Sequence, residues 1–164
     1  MKKLVTVLIF VLMGVTSAAA QKVQKVKMYN EVSANISVLT SNIAIPSVVL
    51  SYTGGVEVGK YFSTGIMVGY DPLPKYAHVS LSFQGKLPFD KIRLYLMANG
   101  GIATEFKEII PCVSSSAGIG FLLKNGKVIN LGLSLTGYYN GESTGPQNSP
   151  LWTKGFGLRV GFEF

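Results

Sequence analysis

The last ten residues, Gly155-Phe156-Gly157-Leu158-Arg159-Val160-Gly161-Phe162-Glu163-Phe164, sort themselves strictly by parity. Phe156, Leu158, Val160, Phe162 and Phe164 take one set of alternate positions. Gly155, Gly157, Arg159, Gly161 and Glu163 take the other. Successive side chains of a strand point to opposite faces, whereas a helix repeats every 3.6 residues and would mix the two sets. The stretch therefore reads as a β-strand with one apolar face and one face of glycine and charge.

Working backwards, the same grammar recurs. Ile129, Leu131, Leu133 and Leu135 alternate with Asn130, Gly132, Ser134 and Thr136; Val113, Ala117, Ile119, Phe121 and Leu123 alternate with Ser114, Ser116, Gly118 and Gly120. Ile92, Leu94, Leu96, Ala98 and Ile102 oppose Arg93, Tyr95, Asn99 and Gly101, and Val79, Leu81 and Phe83 oppose His78, Ser80, Ser82, Gln84 and Lys86. Three further segments follow suit around Phe62–Tyr70, Val48–Val58 and Glu31–Val38, which makes eight predicted strands with the C-terminal one. Short turns at Gly59-Lys60, at Pro88–Lys91 and at Lys124-Asn125-Gly126-Lys127 alternate with longer connections at Thr40–Pro46, Asp71–Tyr76, Glu105–Pro111 and Asn140–Leu151. Asn-Gly is a strong hairpin signal because both residues tolerate positive φ. The pattern predicts an all-β, antiparallel, up-and-down meander.

Alternation alone fits a soluble sandwich with its apolar face inside or a membrane barrel with that face in lipid. Three features decide for lipid. The non-apolar face carries mostly Gly, Ser, Thr and Asn, where a solvated surface carries Lys and Glu. The segments run about ten to twelve residues, long enough to cross at a tilt, against about five or six for an ordinary strand. Aromatic residues gather at segment ends: Tyr61, Phe62, Phe162 and Phe164 by the short turns, and Tyr70, Tyr76, Tyr138, Tyr139 and Trp152 by the long loops. Such rings settle at headgroup depth and form two girdles. The expected fold is thus an eight-stranded antiparallel up-and-down transmembrane β-barrel.

Composition agrees. Of 164 residues only 14 % are charged, 48 % are hydrophobic, 19 are glycine, and the mean hydropathy is +0.35. A disordered chain needs the opposite balance. One cysteine, Cys112, excludes a disulfide framework and a cysteine-rich zinc site, and one histidine, His78, excludes a multi-histidine centre, so no metal or cofactor is expected. The net charge of +7 is scattered and does not predict nucleic-acid binding. Lys2 and Lys3, the uncharged run Leu4–Val15 and the small residues Ala18-Ala19-Ala20 read as a secretory signal peptide over 1–20. Residues 21–27, with Lys22, Lys25 and Lys27, are expected to form a short periplasmic tail, and 28–164 the barrel.

With its signal peptide and its terminal GFGLRVGFEF ending on Phe164, the chain resembles the small eight-stranded outer-membrane β-barrels of diderm bacteria, the OmpA/OmpX/OmpW-like group, over 28–164. The resemblance implies that Phe156, Leu158, Val160, Phe162 and Phe164 form the signal read by the outer-membrane assembly machinery. It also implies that short turns face the periplasm and long loops the outside, in an outer membrane. A monomer is expected. Lys75, Lys107 and Lys154, by the outer loops, are candidates to meet lipopolysaccharide phosphates.

An eight-stranded barrel is just wide enough for side chains to fill. Its inward face would carry Glu31, Glu57, Lys86, Arg93, Arg159 and Glu163, three acids against three bases. Unpaired buried charge is costly, so a compensated ion-pair network closing the lumen is expected, with Arg159 near Glu31 or Glu163. The rival use of those charges is a narrow ion path. His78 and Ser80, two apart on one face, raise a second rival. In the resembled group some barrels are lipid A-modifying enzymes, and one set uses His and Ser at that spacing. Here the surrounding YAHVSLSF (76–83) lacks that set's longer motif, no acidic partner is evident, and the pair would face the lumen. A non-enzymatic membrane scaffold is the expected role.

Overall fold

A computed structural model describes residues 26–40, 44–73, 75–105, 108–139 and 152–164. The expected signal peptide, most of the expected tail and the loop 140–151 lie outside the described residues. Eight strands follow in order: β1 (Val26–Thr40), β2 (Ala44–Val58), β3 (Phe62–Asp71), β4 (Tyr76–Pro88), β5 (Ile92–Glu105), β6 (Glu108–Leu122), β7 (Val128–Tyr139) and β8 (Trp152–Glu163). Each pairs antiparallel with its sequence neighbours, and β1 pairs antiparallel with β8, so the sheet closes into a barrel. The backbone N–H of Phe164 donates to the carbonyl of Asn30 at 3.0 Å, so the seam stays bonded one residue past the end of β8.

The register fixes the stagger. Partners followed round the barrel from Asn30 run through Gly54, Ile66, Leu81, Gly100, Val113, Gly137 and Lys154 and return at Thr40, a displacement of ten residues (40 − 30). For eight strands this corresponds to a tilt of about 40°. Ten residues at that tilt climb about 25 Å, the height of the apolar band of an outer-membrane barrel. β3, with ten residues, just crosses such a band, whereas the fifteen-residue β1, β2 and β6 extend beyond it.

Two expected loops are strand instead. Pairing continues to Thr40–Ala44 and to Glu105–Glu108, so the connections placed at 40–46 and 105–111 shrink to three and two residues. Pro46 and Pro111 close the two expected connections. The β2–β3 pairing reaches only Leu50, and the β6–β7 pairing begins at Cys112, so both prolines sit on stretches paired on one side. A missing N–H is tolerated on such an edge. At the other end, β1 starts at Val26, so residues 26 and 27 of the expected tail are strand.

The apolar face turns outward. Leu131, Leu133, Phe156 and Leu158 are 44, 52, 58 and 61 % exposed, while the Ser, Asn and charged residues between them are buried. This is the reverse of a water-soluble barrel. Such a wall is stable only where hydrocarbon covers it, because exposed apolar surface in water costs roughly 25 cal/mol per Å². Among the described residues no helix is long and apolar enough to cross a membrane; the crossing elements are strands.

The interior is filled by alternating large and absent side chains. A Cβ at Gly132 would strike the Tyr95 hydroxyl, one at Gly120 the Arg93 side chain and Asn130, and one at Gly161 the Glu31 carboxylate. The glycines that gave the polar face its odd composition are thus the sockets for its large residues. The turn at Asn125-Gly126 has Gly126 at φ +78°, with the Gly126 N–H donating to the Leu123 carbonyl at 3.0 Å.

Candidate functional site

Among the described residues the lumen is where the fold gathers polar chemistry, and its two halves differ. In the half nearer the short turns, parity directs Tyr29, Glu31, Glu57, Lys86, Arg93, Tyr95, Asn130, Arg159 and Glu163 inward. The fully buried Glu31 carboxylate accepts from the Tyr29 hydroxyl, from Asn130 Nδ2 at 3.3 Å, and pairs with Arg159 Nη2 at 2.8 Å. Arg159 Nη2 also donates to Ser33 Oγ at 3.2 Å, and its guanidinium lies 6.0 Å from the Tyr95 ring centre.

A second group centres on Glu163. Arg93 grips it with both terminal nitrogens, Nη1 at 2.9 Å from Oε1 and Nη2 on Oε2. Lys86 Nζ bridges Glu163 Oε1 at 3.3 Å and Glu57 Oε2 at 2.5 Å, and sits 4.6 Å from the Tyr29 ring centre. Asn130 joins the two groups: its Oδ1 accepts from Arg93 at 3.2 Å while its Nδ2 donates to Glu31. The structure therefore brings all six charged residues named from the sequence into one linked cluster. Sequence reasoning passed over Tyr29, which shares the parity of the charged face, and placed Asn130 on the polar face without joining it to the charges. The links of Asn130 are hidden in sequence because its partners, Arg93 and Glu31, come from other strands.

The outer half carries almost no charge. Asp71, fully buried, accepts from Ser47 Oγ, from the Val48 N–H at 3.3 Å and from the Leu73 N–H at 3.1 Å. Ser134 donates to Asn35 Oδ1 at 2.6 Å and Asn99 Nδ2 to Ser114 Oγ at 2.9 Å. His78 and Ser80 both face the lumen and are buried. Ser80 Oγ has Cys112 Sγ as its partner, 3.9 Å away, and the His78 ring lies among aromatics, 5.8 Å from Tyr138 and 6.5 Å from Tyr76. No His78–Ser80 hydrogen bond forms among the described contacts. Leu39, Ala103, Cys112 and Tyr138, with Tyr76 and Ile110 against them, make an apolar cluster at the outer end.

Tyr76 and Tyr138 thus correct the girdle assignment. Both fall on the inward parity of their strands and pack inside. The outward members form the expected kind of surface: Tyr139 against Trp152 at 5.4 Å, Phe162 against Phe164 at 6.0 Å, with Tyr61, Phe62 and Tyr70 also on the outer wall. Lys60 sits over Tyr61 and Lys127 over Phe162, at 5.4 and 5.6 Å from the ring centres. Lys75 and Lys154 are exposed beside the outer connections, and Lys107 lies outside the described residues. Phe156, Leu158 and Val160 complete the outward row on β8.

Between the two halves lies a cavity of about 40 Å³, bounded by Asn99, Ser116, Thr136, Met67, His78, Cys112 and Arg159 among others. Since about 10–15 Å³ of such space admits one water, it has room for a few waters.

The fold is that of the small eight-stranded outer-membrane β-barrels, and its apolar exterior makes it an integral membrane barrel. Neisserial surface protein A is similar over 85 % of this chain and 98 % of its own, with a TM-score of 0.62 at 11 % identity. The N-terminal β-barrel domain of Pseudomonas aeruginosa OprF is similar over 85 % of this chain and 100 % of its own, with a TM-score of 0.50 at 14 % identity. The outer membrane enzyme PagL is a looser match, covering 80 % of this chain and 97 % of its own, with a TM-score of 0.47 at 14 % identity. No family model and no curated protein matches the sequence.

Proposed function

We propose that the protein is a non-enzymatic scaffold of the diderm outer membrane, presenting its outer connections for envelope stability or surface contact. The observation that carries this reading is the filled lumen. An ion-pair cluster occupies the periplasmic half, an apolar cluster stands at the outer end, and the space between them holds a few waters at most. A side chain-filled cylinder of this kind supports a rigid wall and loops. The surface partners in this reading are outer-membrane lipids and lipopolysaccharide, with Lys75 and Lys154 at the outer rim, and the β8 row ending on Phe164 is the assembly signal.

The rival chemistry at His78 and Ser80 has little support from the geometry, because both residues face the lumen and each takes other partners. Planar-bilayer recording on the purified protein is expected to show no unitary conductance steps, and reproducible steps would replace the scaffold by a pore. Lipid A mass spectra of cells carrying the gene are expected to be the same for wild type and His78→Ala. An acyl chain lost only with wild type would replace the scaffold by an enzyme.

A further inference from the structure

The outer wall carries one feature that uniform contact with lipid does not need. Among the charged residues of the described strands, Lys154 alone takes outward parity. It lies on β8 two residues below Trp152, of the outer girdle, and eight above Phe162, of the other. At the barrel's tilt, two residues place it about 5 Å inside the outer girdle, at the headgroup boundary. A groove of about 460 Å³ opens beside it on the wall, bounded by Ala98, Ser115, Leu135, Gly137, Trp152 and Lys154. Small outward residues make the groove: a Cβ added at Gly100 would meet open space, and at Gly137 the Trp152 ring takes the room that a side chain would fill. Trp152 in turn packs against Tyr139 at 5.4 Å and forms the upper lip. The register gives the groove a direction. Lys154 pairs with Gly137, Gly137 with Val113 and Val113 with Gly100, and Ala98 lies two residues further toward the short turns. With ten residues of stagger spread over eight strands, each step across that row descends about 3 Å, and each residue along a strand about 2.5 Å. From Lys154 to Ala98 the groove therefore falls about 14 Å into the hydrocarbon.

We propose that this groove binds one lipid A molecule of the outer leaflet, with Lys154 on a phosphate and an acyl chain lying from Gly137 down to Ala98. The proposal rests on the scaffold reading, with the long connections outside, and names the partner of its rim. Charge complementarity selects the ligand. A cation on a lipid-facing wall is costly, and no described carboxylate shares that wall to cancel it. A phosphate at the same depth cancels it through a charge-assisted hydrogen bond, and lysine is a common phosphate binder. The volume falls within the range of about 300–1,000 Å³ of ordinary ligand pockets. A cation at the headgroup boundary, continuous with an apolar groove that runs inward, has the shape of an amphiphile with an anionic head. In the outer leaflet the phosphate-bearing amphiphile is lipid A.

The test uses the full chain folded in nonionic detergent micelles, with folding of every variant checked by heat-modifiable gel mobility. Purified lipid A is titrated in, and native mass spectrometry reads how much stays bound. Wild type is expected to retain one molecule. Lys154→Gln is expected to weaken retention about ten- to a hundredfold, the loss of one charged hydrogen bond. Ser115→Leu fills the groove from the wall and is expected to weaken it about tenfold, the equivalent of two buried methylene groups. Lys91→Gln makes the same charge change at the short-turn end and is expected to bind as wild type does. The proposal is overturned if folded wild type retains no lipid A, or if Ser115→Leu binds as wild type does. It is equally overturned if Lys91→Gln weakens retention as much as Lys154→Gln, since net charge alone would then hold the lipid. Equal retention of phosphatidylglycerol would overturn the assignment to lipid A. Conductance steps in the planar bilayer would overturn the scaffold reading and leave lipid retention unchanged, so the two failures are distinct.

Discussion

The two halves of one lumen solve the same problem, an interior cut off from water, by different means. The half nearer the short turns imports charge and cancels it: Glu31, Glu57 and Glu163 against Lys86, Arg93 and Arg159, cross-linked by Asn130. The outer half uses short neutral hydrogen-bonding side chains and aromatic rings. The difference teaches where stability and adaptability reside. A cancelled ion-pair cluster cannot lose one member cheaply, because the partner is left charged in a low-dielectric interior. A hydroxyl or amide can lose its partner and recruit a water. The first half is built as a lock; the second keeps spare donors and some space.

The largest expected contrast follows from Arg159. Arg159→Met leaves the fully buried Glu31 with only neutral partners, and is expected to cost about 3–5 kcal/mol in urea unfolding followed by gel mobility. Adding Glu31→Gln to that variant is expected to restore most of the loss. If the single variant unfolds at the wild-type urea concentration, the lock does not exist. A sharper probe of packing comes next. Gly120→Val drives methyl groups into Arg93 and Asn130 and is expected to cost about 1–3 kcal/mol, whereas Gly100→Val faces open space and is expected to be near neutral. Equal costs at the two positions would mean that the glycines of the inward face are not sockets.

Smaller still is the outer half. Ser134→Ala removes one neutral hydrogen bond to Asn35 and is expected to cost about 0.5–1.5 kcal/mol in the same measurement. A loss as large as that of Arg159→Met would erase the distinction between the halves. At the bottom of the scale, Lys154→Gln on the exposed rim is expected to change unfolding by less than about 0.5 kcal/mol. It should nevertheless weaken adsorption to lipopolysaccharide-containing vesicles if that lysine meets a phosphate, an effect that added salt should imitate.

Much of this was legible in the chain. Period-two alternation is a local property, so Phe156, Leu158 and Val160 could be assigned to one face and Gly157, Arg159 and Gly161 to the other without any coordinates. The charged inward residues were readable for the same reason. What parity cannot provide is register. That Asn130 sits between Arg93 and Glu31, or that Cys112 reaches Ser80 over Gly101, depends on how far each strand slides past the next. The misread residues have the same origin. Tyr76 and Tyr138 were assigned by their nearness to strand ends, where parity pointed inward, and Pro46 and Pro111 were placed at the ends of loops because their one-sided pairing is invisible in sequence.

By itself the sequence determined which residues could share a face and that the mobile choice between lipid and water fell to the apolar one, since side-chain direction and transfer free energy are local quantities. Only the closed barrel decided who meets whom across it. A stagger of ten residues round eight strands sets every lumen contact at once, and it arises from closure of the whole sheet, which no single segment encodes.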